Sequence, residues 1–227
     1  MGKAKTFKIR SIDSFSNVFQ NPHFTNPVLV DSQGVERRLQ GKWNEEIFDK
    51  HQPIVLELAC GKGDYALALA KMYPEKNFIG VDSKGARIFT GSKTATEQNI
   101  TNLVFARMRI ENITNFFAED EVDEIWITFP DPFPKDKNEK RRLTFKTFLQ
   151  RYRQIAKPGA VVHFKTDDLP LFQFTRQSAE DFGLKILYYK ENIYASPLDF
   201  EELDIKTYYE KSHLAEGRTI NYLQFQL

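Results

Sequence analysis

Short apolar runs alternate with longer helix-forming segments from about residue 53 onwards, and this alternation constrains the fold more than any other feature of the chain. Residues 54–59, 78–82, 103–108, 122–129 and 160–165 are apolar runs of buried-strand length. Residues 65–71, 84–99, 143–155 and 169–182 have helical propensity, and a shorter helix is predicted over 113–117. The helix at 143–155 is expected to end because of Pro158-Gly159. Strands separated by helices pair in parallel, with the helices covering both faces. Residues 184–189 and 220–225 lack a long helix between them, so they are expected to form an antiparallel edge hairpin. The fold class is therefore α/β: a mostly parallel seven-stranded sheet with helices on both faces.

Residues 1–50 have weak periodicity and read as a partly extended arm with one short helix, leaving 51–227 as the main domain. Turns are expected at Asn21-Pro22, Asn26-Pro27 and Ser32-Gln33-Gly34. The net charge of +1 gives no global field toward nucleic acid, so any basic surface is local. Lys3, Lys5, Lys8 and Arg10 form one basic cluster, and the stretch from Lys135 to Arg142 forms another. Cys60 is the single cysteine, which excludes an intrachain disulfide and suits a reducing, cytoplasmic setting. The basic start lacks the apolar stretch of a signal peptide, and no run approaches a membrane span. No spacing suggests a metal site. The sequence leaves a monomer and a homodimer equally open.

Two loops carry the chemistry. The apolar run ending at Phe129 stops in Pro130-Asp131-Pro132-Phe133-Pro134-Lys135. Proline has no backbone donor and a fixed φ, so the strand ends there and Asp131 is held at its carboxyl end. Open α/β sheets bind ligands at that end. The same residues also read as a proline-rich turn beside a solvated charged face. The second loop, Gly61-Lys62-Gly63-Asp64-Tyr65-Ala66, follows a strand and opens a helix. Its glycines permit a tight turn and close ligand approach. Asp82 closes the next strand, where a carboxylate binds ribose hydroxyls. This pair of features also fits an NAD fingerprint and does not choose the cofactor. Glu57 tips the choice: a carboxylate inside an apolar run needs a partner, which the amino-acid ammonium of a methyl donor would supply, as equally would a backbone or loop contact relayed by water, whereas a pyrophosphate would be repelled.

Glu57-Leu58-Ala59-Cys60-Gly61-Lys62-Gly63 resembles the first motif of class I S-adenosylmethionine-dependent methyltransferases. The stretch from Phe129 to Lys135, the basic run to Arg142, Thr166-Asp167 and Thr207-Tyr208-Tyr209-Glu210 together resemble the tRNA (guanine-N7)-methyltransferase family, over roughly residues 50–220. The resemblance implies a Rossmann-like fold, S-adenosylmethionine as donor with S-adenosylhomocysteine as product, no metal, and tRNA as partner. It implies methylation of the variable-loop guanine-46 at N7. It further implies that Glu57, Gly61, Gly63, Asp82, Glu111 with its neighbour Asn112, and Asp131 line the donor site. Lys135, Asp167, Thr207, Tyr208, Tyr209 and Glu210 would face the substrate, and Lys137, Asn138, Glu139, Lys140, Arg141 and Arg142 would contact RNA. Ala59 stands where many methyltransferases have glycine, Phe133 replaces a common tryptophan, and Asp82 and Glu111 exchange the usual Glu and Asp.

Guanine N7 carries a lone pair and no proton, so its methylation needs in-line placement rather than a strong base. Positive charge moves onto the base, and a fixed carboxylate stabilises it. Asp131 is the residue expected to do so, while Asp167 reads either as a guanine acceptor or as a helix N-cap. An NAD-dependent dehydrogenase lacks an evident hydride-transfer pair here, and a catalytically silent RNA-binding module would not need every acidic position filled.

Overall fold

The computed structural model describes residues 3–23 and 26–227; Met1 and Gly2 of the basic start, and the Lys3 side chain, lie outside it. The strands are β1 (Val18–Gln20), β2 (Leu29–Val30), β3 (Glu36–Arg37), β4 (Ile54–Leu58), β5 (Asn77–Asp82), β6 (Leu103–Arg107), β7 (Val122–Thr128), β8 (Ala156–Thr166), β9 (Lys185–Lys190) and β10 (Asn221–Gln226). The helices are α1 (Lys3–Ser11), α2 (Trp43–Glu46), α3 (Asp64–Met72), α4 (Gly85–Glu97), α5 (Lys146–Ile155), α6 (Leu169–Asp181) and α7 (Tyr208–Ala215). Among the described residues they build one sheet in the order β3-β2-β1-β6-β5-β4-β7-β8-β10-β9. The central pairs β6·β5, β5·β4, β4·β7 and β7·β8 are parallel, and β10 pairs antiparallel with both β8 and β9. The α/β class and the antiparallel edge are as the sequence implies.

The expected count of seven strands is corrected to ten. The three additions lie in the first forty residues: β1 runs parallel to β6, with Val18 opposite Phe105, and β2 and β3 continue outward as a meander. Two or three residues are too few to show a period, so these strands leave no pattern in the sequence. A second correction concerns Pro158-Gly159, which does not end a helix. The helix α5 stops at Ile155, and β8 begins at once. Val122 pairs with Ala156, but Glu124 pairs with Val161, so the extra residues around Pro158-Gly159 bow out as a bulge.

Each face of the sheet buries its own apolar layer. Trp43, Phe117, Phe148, Leu149, Phe164 and Phe172 belong to one, on the side of α5 and α6. Tyr65, Leu69, Ile88, Phe105, Trp126 and Tyr222 belong to the other, on the side of α3 and α4. Glycines decide how close α3 and α4 can come. A Cβ on Gly63 or Gly80 would sit 2.6 or 2.7 Å from the Phe105 ring, and one on Gly91 would sit 2.6 Å from the Lys62 carbonyl oxygen. Phe105 therefore fills a nest that only glycine leaves open, directly beneath the glycine loop. Among the described residues, no helix is long and apolar enough to cross a membrane.

Candidate active site

The chain leaves β4 toward β5 and β6 on one side, then returns to β7 and β8 on the other, so the order reverses between β4 and β7. Such a switch point opens a crevice at the strands' carboxyl ends. Both flanking strands end in strained backbone. Ala59 after β4 has φ 58° and Phe129 after β7 has φ 49°, left-handed values that cost a residue with a Cβ on the order of 1 kcal/mol or more. Ala59 thus adopts the conformation a glycine would take there. Phe129 still donates its N–H to the Lys165 carbonyl, and Pro130, with no donor, frees the chain to turn away.

The crevice holds two adjoining cavities, of about 280 and 320 Å³, which share Ala59, Arg87 and Asp131 as walls. The larger is bounded by Asp82, Met108, Ile110, Glu111 and Phe133. The smaller is bounded by Gly61, Lys62, Asp64, Asp167, Thr207, Tyr209, His213 and Arg218. A more open depression of about 450 Å³ near Asn17 and Leu103 lies at the amino ends of β1 and β6, away from the switch point. Asp131 is exposed on the shared wall and has no hydrogen-bond or ion-pair partner among the described residues.

Asp82 is buried yet well supplied with donors. Its Oδ2 accepts from the Gly61 N–H at 3.1 Å and its Oδ1 from the Lys84 N–H at 2.7 Å. Burial raises its pKa, and the two N–H groups and Arg87 oppose the rise. Glu111 is exposed along the larger cavity, while Asn112 donates its N–H to Arg109 within the turn that follows β6. Glu57 borders neither cavity. It is buried, its Oε2 accepts from the Ala66 N–H at the start of α3, and its Oε1 accepts from Thr128 Oγ1 at the end of β7. Burial pushes its pKa up to about 8. The carboxylate joins the two strand ends and the helix start from beneath the crevice. Gly63 lies against Phe105 in the same layer.

Asp167 faces the smaller cavity. Arg218 Nη1 donates to its Oδ2 at 2.8 Å, and His213 Nδ1 lies 3.1 Å from its Oδ1, off the angle of a hydrogen bond. The N-cap of α6 is its neighbour Asp168, which accepts from the Leu171 N–H, so the capping role belongs one residue later. Thr207 caps α7 by accepting from the Glu210 N–H. Tyr208 donates its N–H to Asp64 and its ring lies 3.6 Å from Lys62 Nζ, which ties α7 to the glycine loop. Tyr209 is exposed into the cavity, but Glu210 is fully buried.

The basic run divides. Residues Asp136–Arg141 form a short 3-10 helix on which Lys137 and Lys140 are exposed, as is Lys135 before it, and Asn138 and Glu139 are half-buried. Arg141 stacks 4.3 Å from the Phe133 ring centroid. Arg142 turns inward: Nε donates to the Pro132 carbonyl and Nη2 to the Phe133 carbonyl, both at 3.2 Å. It clamps the proline loop that carries Asp131. Sequence reasoning missed Lys62, Arg87, His213 and Arg218 as cavity walls. His213 stands four residues after Tyr209, one helical turn on, and that spacing was the available signal.

A switch-point crevice, a glycine loop and carboxylates at successive strand ends define the class I, Rossmann-like methyltransferase fold. Solved structures agree on the fold. An antibiotic-related methyltransferase superposes with TM-score 0.61 and 21% identity, covering 82% of this chain and 94% of that one. The 16S rRNA methyltransferase KamB gives TM-score 0.63 at 13% identity, covering 85% and 96%. A family model described as "Putative methyltransferase" matches residues 51–223. The tRNA (guanine-N(7)-)-methyltransferase of Bacteroides fragilis is 42% identical over 227 residues, covering all of this chain and 87% of the relative. That of Christiangramia forsetii is 42% identical over 226 residues, covering 99% and 98%. The chain belongs to the tRNA (guanine-N(7)-)-methyltransferase family.

Proposed function

We propose that this protein transfers a methyl group from S-adenosylmethionine to N7 of a guanine in tRNA, the variable-loop guanine-46, in the cytoplasm. The single observation that carries the reading is Asp131, an unpartnered carboxylate on the wall shared by two adjoining cavities. The donor set of the larger cavity fits an adenosyl group: Asp82 offers a carboxylate to ribose hydroxyls, Ile110 offers apolar surface to a ring, and Glu111 lies alongside. Lys62 and the Gly61 loop in the smaller cavity suit the amino-acid end. When bound, the donor supplies a methyl group activated by a sulfonium cation.

The chain's own groups supply placement and charge. Guanine N7 has no proton to lose, so no residue need act as a strong base, and alignment against the methyl is the main requirement. Asp167 can accept from guanine N1–H and N2–H, because each of its oxygens still has a lone pair beyond those facing Arg218 and His213. Tyr209 presents a ring on which the base can stack. Asp131 sits between donor and base and stabilises the positive charge that moves onto guanine. Lys135, Lys137, Lys140 and Arg141 offer cations to tRNA phosphates beside the crevice. Incubation with methyl-labelled S-adenosylmethionine and bulk tRNA, followed by nucleoside analysis, tests the reading. Label is expected in N7-methylguanosine; label in another nucleoside, or none, would overturn it.

A further inference from the structure

Lys165, near the end of β8, has no exposed surface at all. A buried ammonium needs every proton satisfied. Its Nζ lies 2.8 Å from Glu210 Oε1 and donates to the Leu203 carbonyl at 2.9 Å and the Ile205 carbonyl at 3.1 Å. Glu210 Oε1 also accepts from the Tyr194 hydroxyl at 2.7 Å, while its Oε2 is buried without a hydrogen-bond partner. The contacts reach three separate pieces of chain: the segment around Tyr194, the turn Glu201–Asp204 with its exit at Ile205, and the first turn of α7. Tyr65 adds a fourth tie, donating its hydroxyl to the Glu202 carbonyl at 2.6 Å.

Stability alone is a poor reason for this pair. Two desolvated charges seldom outperform an apolar packing of the same volume, and an orphaned carboxylate oxygen is a further cost. What the pair does secure is direction. The cap Thr207 and the α7 residues Tyr209 and His213 all lie on the wall of the smaller cavity, and His213 reaches Asp167, two residues beyond Lys165. The glycine loop touches the same helix through Asp64 and Lys62.

We propose that Lys165 is a positioning residue for methyl transfer: through Glu210 it fixes α7 against the end of β8, so that Thr207, Tyr209 and His213 face the target base. The proposal rests on the guanine reading above and moves Glu210 from substrate contact to support. It predicts an effect chiefly on the base-binding half of the crevice, since Asp82 and Glu111 belong to other elements and α7 reaches the donor half only through Asp64 and Lys62.

The test uses the full chain with Lys165→Met and, because that change orphans a buried carboxylate, also Glu210→Gln, which keeps the shape. Thermal unfolding, S-adenosylhomocysteine affinity by calorimetry, and kcat and KM on tRNA are measured for each. The expected result is a folded variant whose S-adenosylhomocysteine affinity stays within about threefold, while kcat/KM for tRNA falls roughly tenfold or more, chiefly through KM. Unchanged kcat/KM in a folded variant overturns the proposal. So does a parallel loss of S-adenosylhomocysteine affinity, or failure of both variants to fold, because either marks a purely structural pair. The wild-type protein on the same tRNA separates the two readings: no N7-methylguanosine from the wild type contradicts the guanine reading itself, whereas a normal wild type with normal variants contradicts only the role of Lys165.

Discussion

Asp131 and Glu57 are both carboxylates at the switch point, and their surroundings divide their work. Asp131 is exposed and unpartnered, so Asp131→Asn removes charge without removing a contact that holds the fold. Its melting temperature should match the wild type, while kcat on tRNA should fall by about a hundredfold, the usual loss when one group aimed at developing charge is deleted. A kcat near wild type would remove Asp131 from the mechanism. Glu57 is the reverse case. With its pKa raised from 4.5 to about 8 by burial, the unfolded chain is ionised through that window while the folded chain holds the proton. Folding then weakens as pH rises from about 5 to about 8. Glu57→Gln cannot titrate, so its urea midpoint should depend less steeply on pH over that range than the wild type's. Parallel curves would contradict the assignment.

At the scale of elements, the loop from Phe129 to Arg142 is a device in two parts. Lys137 and Lys140 face outward and border neither cavity, and replacing both with alanine should raise KM for tRNA and flatten its salt dependence, leaving S-adenosylhomocysteine affinity unchanged. Arg142→Ala should act differently. It leaves the Pro132 and Phe133 carbonyls without their guanidinium donor, loosens the loop under Asp131, and should lower kcat. Tritium-transfer kinetics at two salt concentrations separate these outcomes; identical profiles for the two variants would contradict the division. In the sequence both parts read as one run of charge, because composition does not record which way an arginine turns. The proline loop and the glycine loop were legible, since prolines and glycines dictate backbone directly. Glu57 was legible as a buried carboxylate that needs a partner, but not which one, because Ala66 and Thr128 reach it only once α3 and β7 are packed beside β4. Arg218 left no signal: it meets Asp167 across 51 residues of chain, a contact that only the sheet order creates.

At the scale of the whole molecule, a mixed sheet with a parallel centre has three first strands short enough to escape pattern recognition, yet they cover the β6 edge. Trp43, in the same region, is fully buried, stacks 5.4 Å from Phe117 and donates its indole N–H to the Phe116 carbonyl. A chain beginning at about residue 40 would bare that edge and part of this cluster. Its urea midpoint should fall clearly and its tendency to associate should rise; a midpoint equal to the full chain's would mean the early strands are ornamental. In the proposed reaction the switch-point crevice sets guanine N7 against the donor methyl. Transcribed tRNA in which 7-deazaguanosine replaces guanosine keeps the base's shape and its N1 and N2 donors but has a C–H at position 7. Initial rates of methyl transfer to the two transcripts, measured side by side, should show transfer to the guanosine transcript and none to the deaza transcript; comparable transfer to both would mean that N7 is not the acceptor.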